Sequence, residues 1–310
     1  MRTGDTNMTD KGHSEEYFGE FRDFWWNKDY IDLLAKRWDL NSYSTLLDVG
    51  CGLCHWSKIL CSYLKKPAKV VALDNDPKWA KGNANARDYF CKQKVDLEFV
   101  EGNAYQIPFS DDSFDIVTCQ TVLIHLKDPL HALTEMKRVL KKGGLLICAE
   151  PNNIAGTLIR SSLDEEENIE EITERTKFRL IYEKGKKKIG EGDSSFGDFL
   201  PGYFSKVGLK EIKVYQSDKC LPMYPPYNSP EEIALVKTLN QWVDNNEGPF
   251  DYEQSLQYFK AVNKDEAYID FFNRQWRKNI EEIKLINQGI DREKYHMAGA
   301  RIMYVTSGMK

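Results

Sequence analysis

The sequence predicts an α/β protein built on a Rossmann-like, doubly wound sheet of seven strands, the last antiparallel, with helical cap insertions. Three observations predict it. Short β-branched runs alternate with helical patterns between residues 45 and 150, which implies right-handed βαβ units and a parallel sheet covered on both faces. The first run ends in a glycine pair, Gly50-Cys51-Gly52, at the turn into the first helix of the alternation. The pattern then breaks into charged and helical stretches and resumes for two more strands.

Ahead of the sheet, residues 14–38 place Tyr17, Phe18, Phe21, Phe24, Trp25 and Tyr30 at helix-like spacing and read as one or two amphipathic helices. Residues 45–49 are the first strand, and Trp56, Ile59, Leu60 and Leu64 mark the helix that follows. Residues 69–73 are the second strand, closing on Asp74. Asp76-Pro77 opens the next helix, an aspartate cap followed by proline at the first helical position. Residues 95–100 and 114–119 are the third and fourth strands. Helical spacing from Pro129 to Leu140 stops at Lys141-Lys142-Gly143-Gly144, and residues 145–150 form the fifth strand.

Residues 152–195 are polar, with an acidic block at 164–167 and a basic run at 184–188. They read as a helical insertion, either a lid or a solvated excursion, with the basic run as solvated surface. Residues 197–207 resume as a helix capped by Gly208, residues 209–215 as a strand, and residues 299–306 as the closing strand. Between them residues 229–290 are helical, with Trp242, Tyr258, Phe259, Phe271, Phe272 and Trp276 available to build a face. The expected organisation is an N-terminal helical segment (1–40), a core (41–151, 196–217 and 297–310), and insertions (152–195 and 218–296) forming a substrate cap.

Composition narrows the function. At 310 residues the chain can bury one large core, or one core plus a substantial lid. A net charge of −5 offers no global attraction for nucleic acid, and none is expected as a partner. No apolar stretch is long enough to span a bilayer. Seven cysteines without a framework suit a reducing, cytoplasmic setting, and no metal site is expected. Cys51-Gly52-Leu53-Cys54-His55 matches the C-x-x-C-H pattern of haem attachment, but it sits inside the strand–turn–helix, and nothing in the sequence directs the export that chemistry needs. Cys119 and Tyr224-Pro225-Pro226-Tyr227 read as a buried strand cysteine and a rigid turn.

The glycine turn carries the chemistry. Gly50 and Gly52 allow close approach of backbone to a nucleotide, but His55 stands where a dinucleotide fingerprint has its third glycine. Asp48, inside the strand, suits a cation-bearing ligand better than a pyrophosphate. Asp48-Val49-Gly50-Cys51-Gly52 resembles motif I of the class I S-adenosylmethionine-dependent methyltransferases, especially the type 11, ubiquinone/menaquinone-biosynthesis-like branch. The resemblance continues in order through Asp74, Gly102-Asn103-Ala104, Pro108-Phe109 with Asp112-Ser113-Phe114-Asp115, and Lys141-Lys142-Gly143-Gly144. It covers roughly residues 40–150, 197–216 and the last strand.

The resemblance implies S-adenosyl-L-methionine as cofactor and S-adenosyl-L-homocysteine as its product. It places Asp48, Gly50, Cys51, Gly52, Asp74, Asn75, Asn103, Ala104 and Gln120 at the cofactor, with Asp74 accepting from the ribose hydroxyls. It also marks His125 as a candidate general base, with a structural role at even weight. Two departures stand out: Cys54 replaces a usual glycine, and Asn103 a usual aspartate. The implied function is in-line methyl transfer to a small, partly apolar acceptor. The alternatives are a cofactor-binding regulatory or scaffolding protein and an NAD-dependent oxidoreductase. Acceptor identity, acceptor atom and oligomeric state are not legible.

Overall fold

The computed structural model describes residues 19–165, 168–244 and 251–310. Tyr17, Phe18 and the rest of the segment before residue 19 lie outside the described residues. So do positions 166 and 167 of the acidic block.

The sheet follows from the apolar runs. β1 (Thr45–Val49), β2 (Ala68–Asp74), β3 (Val95–Glu101), β4 (Phe114–Gln120) and β5 (Leu140–Asn152) pair in parallel. With β6 (Lys210–Gln216) and β7 (Ile302–Met309) they form one seven-stranded sheet in the order β3-β2-β1-β4-β5-β7-β6. β7 runs antiparallel to both of its neighbours. The reason is connectivity: β6 and β7 are joined without a return to the far end of the sheet, so the chain re-enters in the opposite direction.

Consecutive apolar residues in β1 and β4 are buried alternately on the two faces, as a sheet covered on both sides requires. On one face Leu46, Ile116 and Ile147 pack with α1 (Lys28–Arg37), α2 (His55–Cys61) and α4 (Ala84–Lys92), through Leu34, Trp56 and Phe90. On the other, Leu47, Val117 and Leu146 pack with α5 (Pro129–Val139) and α7 (Leu200–Lys206), through Leu133, Met136 and Phe204. The expected cap is in place, Asp76 accepting from Lys78 N at 2.7 Å, and the structure adds a second, Asp128 accepting from His131 N at 3.1 Å.

The insertions pack on each other. α6 (Ile169–Ile189) lies against α9 (Tyr252–Val262) and α10 (Glu266–Asp291), with Phe178, Tyr182, Tyr258, Phe259, Phe271 and Phe272 as a shared aromatic core. Gly185 allows this approach, since a Cβ there would lie 2.0 Å from Tyr258 O. Trp242, on α8 (Pro230–Asp244), joins a different cluster with Phe21, Leu235, Leu239 and Ile290.

Four features differ from the sequence reading. The helix opened by Asp76-Pro77 is a single turn, α3 (Pro77–Ala80), because Gly82 turns at φ +73° before α4 begins. β5 begins at Leu140 rather than residue 145, since Leu140 pairs with Phe114 across a register shift. The last strand starts three residues late: Gly299 takes φ +65° against Leu221 O, and residues 297 and 300 instead bridge to 223 and 220. The basic run is not wholly solvated, since Lys186 is buried, donating to Ser194 Oγ at 2.9 Å and Ile124 O at 3.3 Å.

Candidate functional site

The carboxyl ends of β1, β2, β4 and β5 converge on the glycine turn. Gly50 takes φ +70°, and a Cβ on it would lie 2.5 Å from Val122 Cγ2, so only glycine lets the post-β4 turn seat here. The N–H groups of Gly50 and Cys51 both donate to Leu73 O, at 2.7 and 3.0 Å. Asp74, fully buried, accepts from Gly52 N at 2.9 Å and from Asp76 N at 3.1 Å. Helix capping falls to Asp76, so Asp74 is not a mere cap; its carboxylate ties the glycine turn to the turn after β2.

Cys54 stands at φ +63°, the left-handed conformation that glycine accepts freely and that costs an L-residue about 1–2 kcal/mol. Its thiol is buried beside that of Cys51, and this contact, with burial, raises the Cys51 pKa well above the thiol range. A thiol so raised, as at Cys51, is a poor nucleophile and a poor metal ligand. His55 Nδ1 lies 2.6 Å from Asp23 Oδ1. The C-x-x-C-H match is thus absorbed by packing and an ion pair.

Two buried carboxylates face opposite sides of the sheet. Burial pushes Asp48 up to about 6, against hydrogen bonds from Ser57, and Asp74 adds to the rise. Asp48 Oδ2 makes no hydrogen bond among the described residues. Glu150, near the end of β5, is the residue sequence reasoning missed. It is fully buried, and its Oε1 accepts from Val122 N at 3.0 Å and Leu123 N at 2.9 Å. Burial pushes it up to about 7 despite those donors. The available signal was an acid closing the apolar run 145–149.

The remaining candidates are placed as follows. Gln120 is buried at the end of β4, followed by Thr121 at φ +55°. Asn75 is exposed just beyond Asp74. Ala104 is buried; Asn103 is exposed, with its side-chain oxygen accepting from Tyr105 N at 2.8 Å in a local turn. His125 is exposed, on the 3-10 turn Leu123–His125. Arg22, also not anticipated, is buried over the Trp25 ring with Nη2 3.5 Å from Thr121 Oγ1.

The family model described as a methyltransferase domain matches residues 47–148, a span that runs from within β1 to within β5 and holds this turn. A demethylmenaquinone methyltransferase of Bacillus cereus (strain B4264) is 35% identical over 126 residues, 40% of this chain and 50% of that protein. The counterpart from Bacillus anthracis (strain A0248) matches to the same extent. The chain thus spans half the length of these curated relatives. Among solved structures, a SAM-dependent methyltransferase from Aquifex aeolicus is 18% identical at a TM-score of 0.43, covering 67% of this chain and 89% of its own. Phosphoethanolamine N-methyltransferase 2 of Haemonchus contortus is 14% identical at 0.45, covering 96% and 58%. None of these similarities supports an oxidoreductase or a non-enzymatic module.

Beside the matched span lies a cavity of 380 Å³, walled by Asn152 and Ile302 at the strand ends, Phe21, and residues of α8, α10 and the 156–164 segment. A second chamber of 360 Å³ shares Arg175, Leu239 and Trp242 with it and runs on to Phe178 and Trp276. Phe21 and Arg22 are chain neighbours, one walling the cavity and the other touching the end of β4. No helix among the described residues is long and apolar enough to cross a membrane.

Proposed function

We propose that the chain is an enzyme that transfers the methyl group of S-adenosyl-L-methionine to a small, partly apolar acceptor, releasing S-adenosyl-L-homocysteine. The observation that carries this reading is the pair of buried carboxylates, Asp48 and Asp74, flanking the Gly50–Gly52 turn of a methyltransferase domain. The donor set fits the cofactor: an ammonium and a sulfonium call for anionic neighbours, and a ribose diol for a carboxylate acceptor. Asp48 Oδ2, buried and without a hydrogen bond among the described residues, is an acceptor in search of a donor.

When bound, the cofactor supplies an activated methyl group on sulfur. In this reading Asp74, Asn75, Asn103 and Ala104 receive the nucleoside, while Asp48, Gly50, Cys51, Gly52 and Gln120 border the methionine portion. Arg22, against Thr121, and the insertion helices exclude water from the line of transfer. The segments 152–195 and 218–296 serve as the acceptor's cap, and the 380 Å³ cavity beneath them as its pocket. His125 is the candidate base for acceptors that must lose a proton; its exposed position makes it dispensable for those that need not. The names of the curated relatives add a quinone-type acceptor as one candidate for screening.

Calorimetric titration with S-adenosylhomocysteine tests the cofactor assignment. Wild-type protein is expected to bind, and Asp74→Asn to bind at least about tenfold more weakly, the loss of a charge-assisted contact. Equal affinity in the two proteins would remove Asp74 from the site. Release of S-adenosylhomocysteine in an acceptor screen then separates turnover from binding alone.

A further inference from the structure

The double chamber beside the matched span has a charge pattern that bears on its occupant. One end carries the aromatic residues Phe178, Trp242 and Trp276, with Arg175, Arg179 and Glu282 also on its lining. Its other end, at the strand tips, is lined by Arg160, Arg175 and Arg301, with Asp164 and Glu282 as the acids. Asp164 is already committed: Oδ1 pairs with Arg175 at 2.9 Å, and Oδ2 accepts from Ser161 N and Oγ. Burial alone pushes Asp164 up, but these hydrogen bonds hold it below the ordinary carboxylate value, so it stays an anion locked into the wall. Arg301 is exposed and lines the cavity, with its guanidinium 5.9 Å from the Phe21 ring.

We propose that this chamber takes an organic anion, with a carboxylate or similar oxyanion at Arg301 and Arg160 and an extended apolar body among Phe178, Trp242 and Trp276. The inference rests on the cavity being the acceptor's pocket and names the acceptor's chemical class. A guanidinium in a partly desolvated setting binds a carboxylate through paired N–H donors, and the aromatic end contributes by burying hydrocarbon. A neutral ligand of equal length gains only the second contribution. A cationic one meets the arginines at close range.

Calorimetry with three ten-carbon probes below their aggregation concentrations tests the assignment: decanoate, decanol and decyltrimethylammonium. Decanoate is expected to bind at least about tenfold more tightly than either of the others. Arg301→Met should weaken decanoate by about tenfold and leave decanol unchanged, and Trp242→Ala should weaken all that bind. Equal binding of the three probes, binding of none, or indifference of decanoate to Arg301→Met would overturn the proposal. A parallel titration with S-adenosylhomocysteine confirms that each variant is folded. It also keeps the two readings apart, since decanoate can bind where the cofactor analogue does not, and the reverse.

Discussion

Glu150 shows what one residue contributes when burial and hydrogen bonding oppose each other. Burial pushes its carboxyl from 4.5 up to about 7, and the amides of Leu123, Val122 and Ile124 only partly counter that. The folded protein therefore binds this proton more tightly than the unfolded chain. Its stability contribution is complete below the unfolded pKa of 4.5 and is lost as pH rises through about 7, at about 1.4 kcal/mol per pH step of one between those two values. Asp48 acts in the same direction between 3.8 and about 6. Denaturant midpoints of Glu150→Gln, measured from about pH 5 to about pH 8, should fall less steeply than those of the wild type. Matching slopes would mean that the carboxylate stays ionised in the folded protein.

At the scale of elements, the turn after β4 joins the sheet to the insertion. Glu150 holds its N–H groups from β5, Val122 rests on Gly50, and Lys186 of α6 donates to Ile124 O. Lys186 also holds Ser194, whose N–H donates to Glu183 at 3.0 Å, and Glu183 pairs with Arg179 at 2.8 Å. Burial lowers the Lys186 pKa, but its acceptors are fixed in place around it. Lys186→Met keeps the aliphatic stem and leaves the Ile124 carbonyl without its ammonium donor. We expect a loss of about 1–3 kcal/mol, with faster amide exchange concentrated at residues 122–125. Faster exchange spread evenly over the molecule would show that the lysine supports the fold at large and not this turn.

For the whole molecule, the proposed cofactor site lies at the carboxyl ends of parallel strands from one continuous sheet, so a ligand bound as proposed would engage β1, β2 and β4 together. Binding to the folded state alone must then raise the melting temperature of the entire core. At a hundredfold excess of S-adenosylhomocysteine over its Kd the stabilisation should be about 2.7 kcal/mol. Calorimetric melts with and without the ligand check this. A rise confined to one of two resolved transitions would show that the insertions unfold separately from the sheet.

Local patterns in the chain were enough to determine the alternation of β1 to β5, their facing, the cap at Asp76, and the glycine turn with Asp48 and Asp74. These depend on neighbours within a few residues: period, β-branching, capping oxygens and backbone freedom. The sequence also showed helical spacing over 229–290, because such spacing survives without knowledge of partners, but not that Trp242 packs apart from Tyr258, Phe259, Phe271 and Phe272. What it could not determine depends on residues far apart in the chain. Lys186 reads as surface until Ser194 and the Ile124 carbonyl close around it. Glu150 reads as the end of a strand until the turn 122–124 folds onto it. Arg22 meets Thr121 across 99 residues, and the chamber draws its arginines from three separate segments. Burial and charge balance are properties of the assembled neighbourhood, and only the tertiary structure decides them.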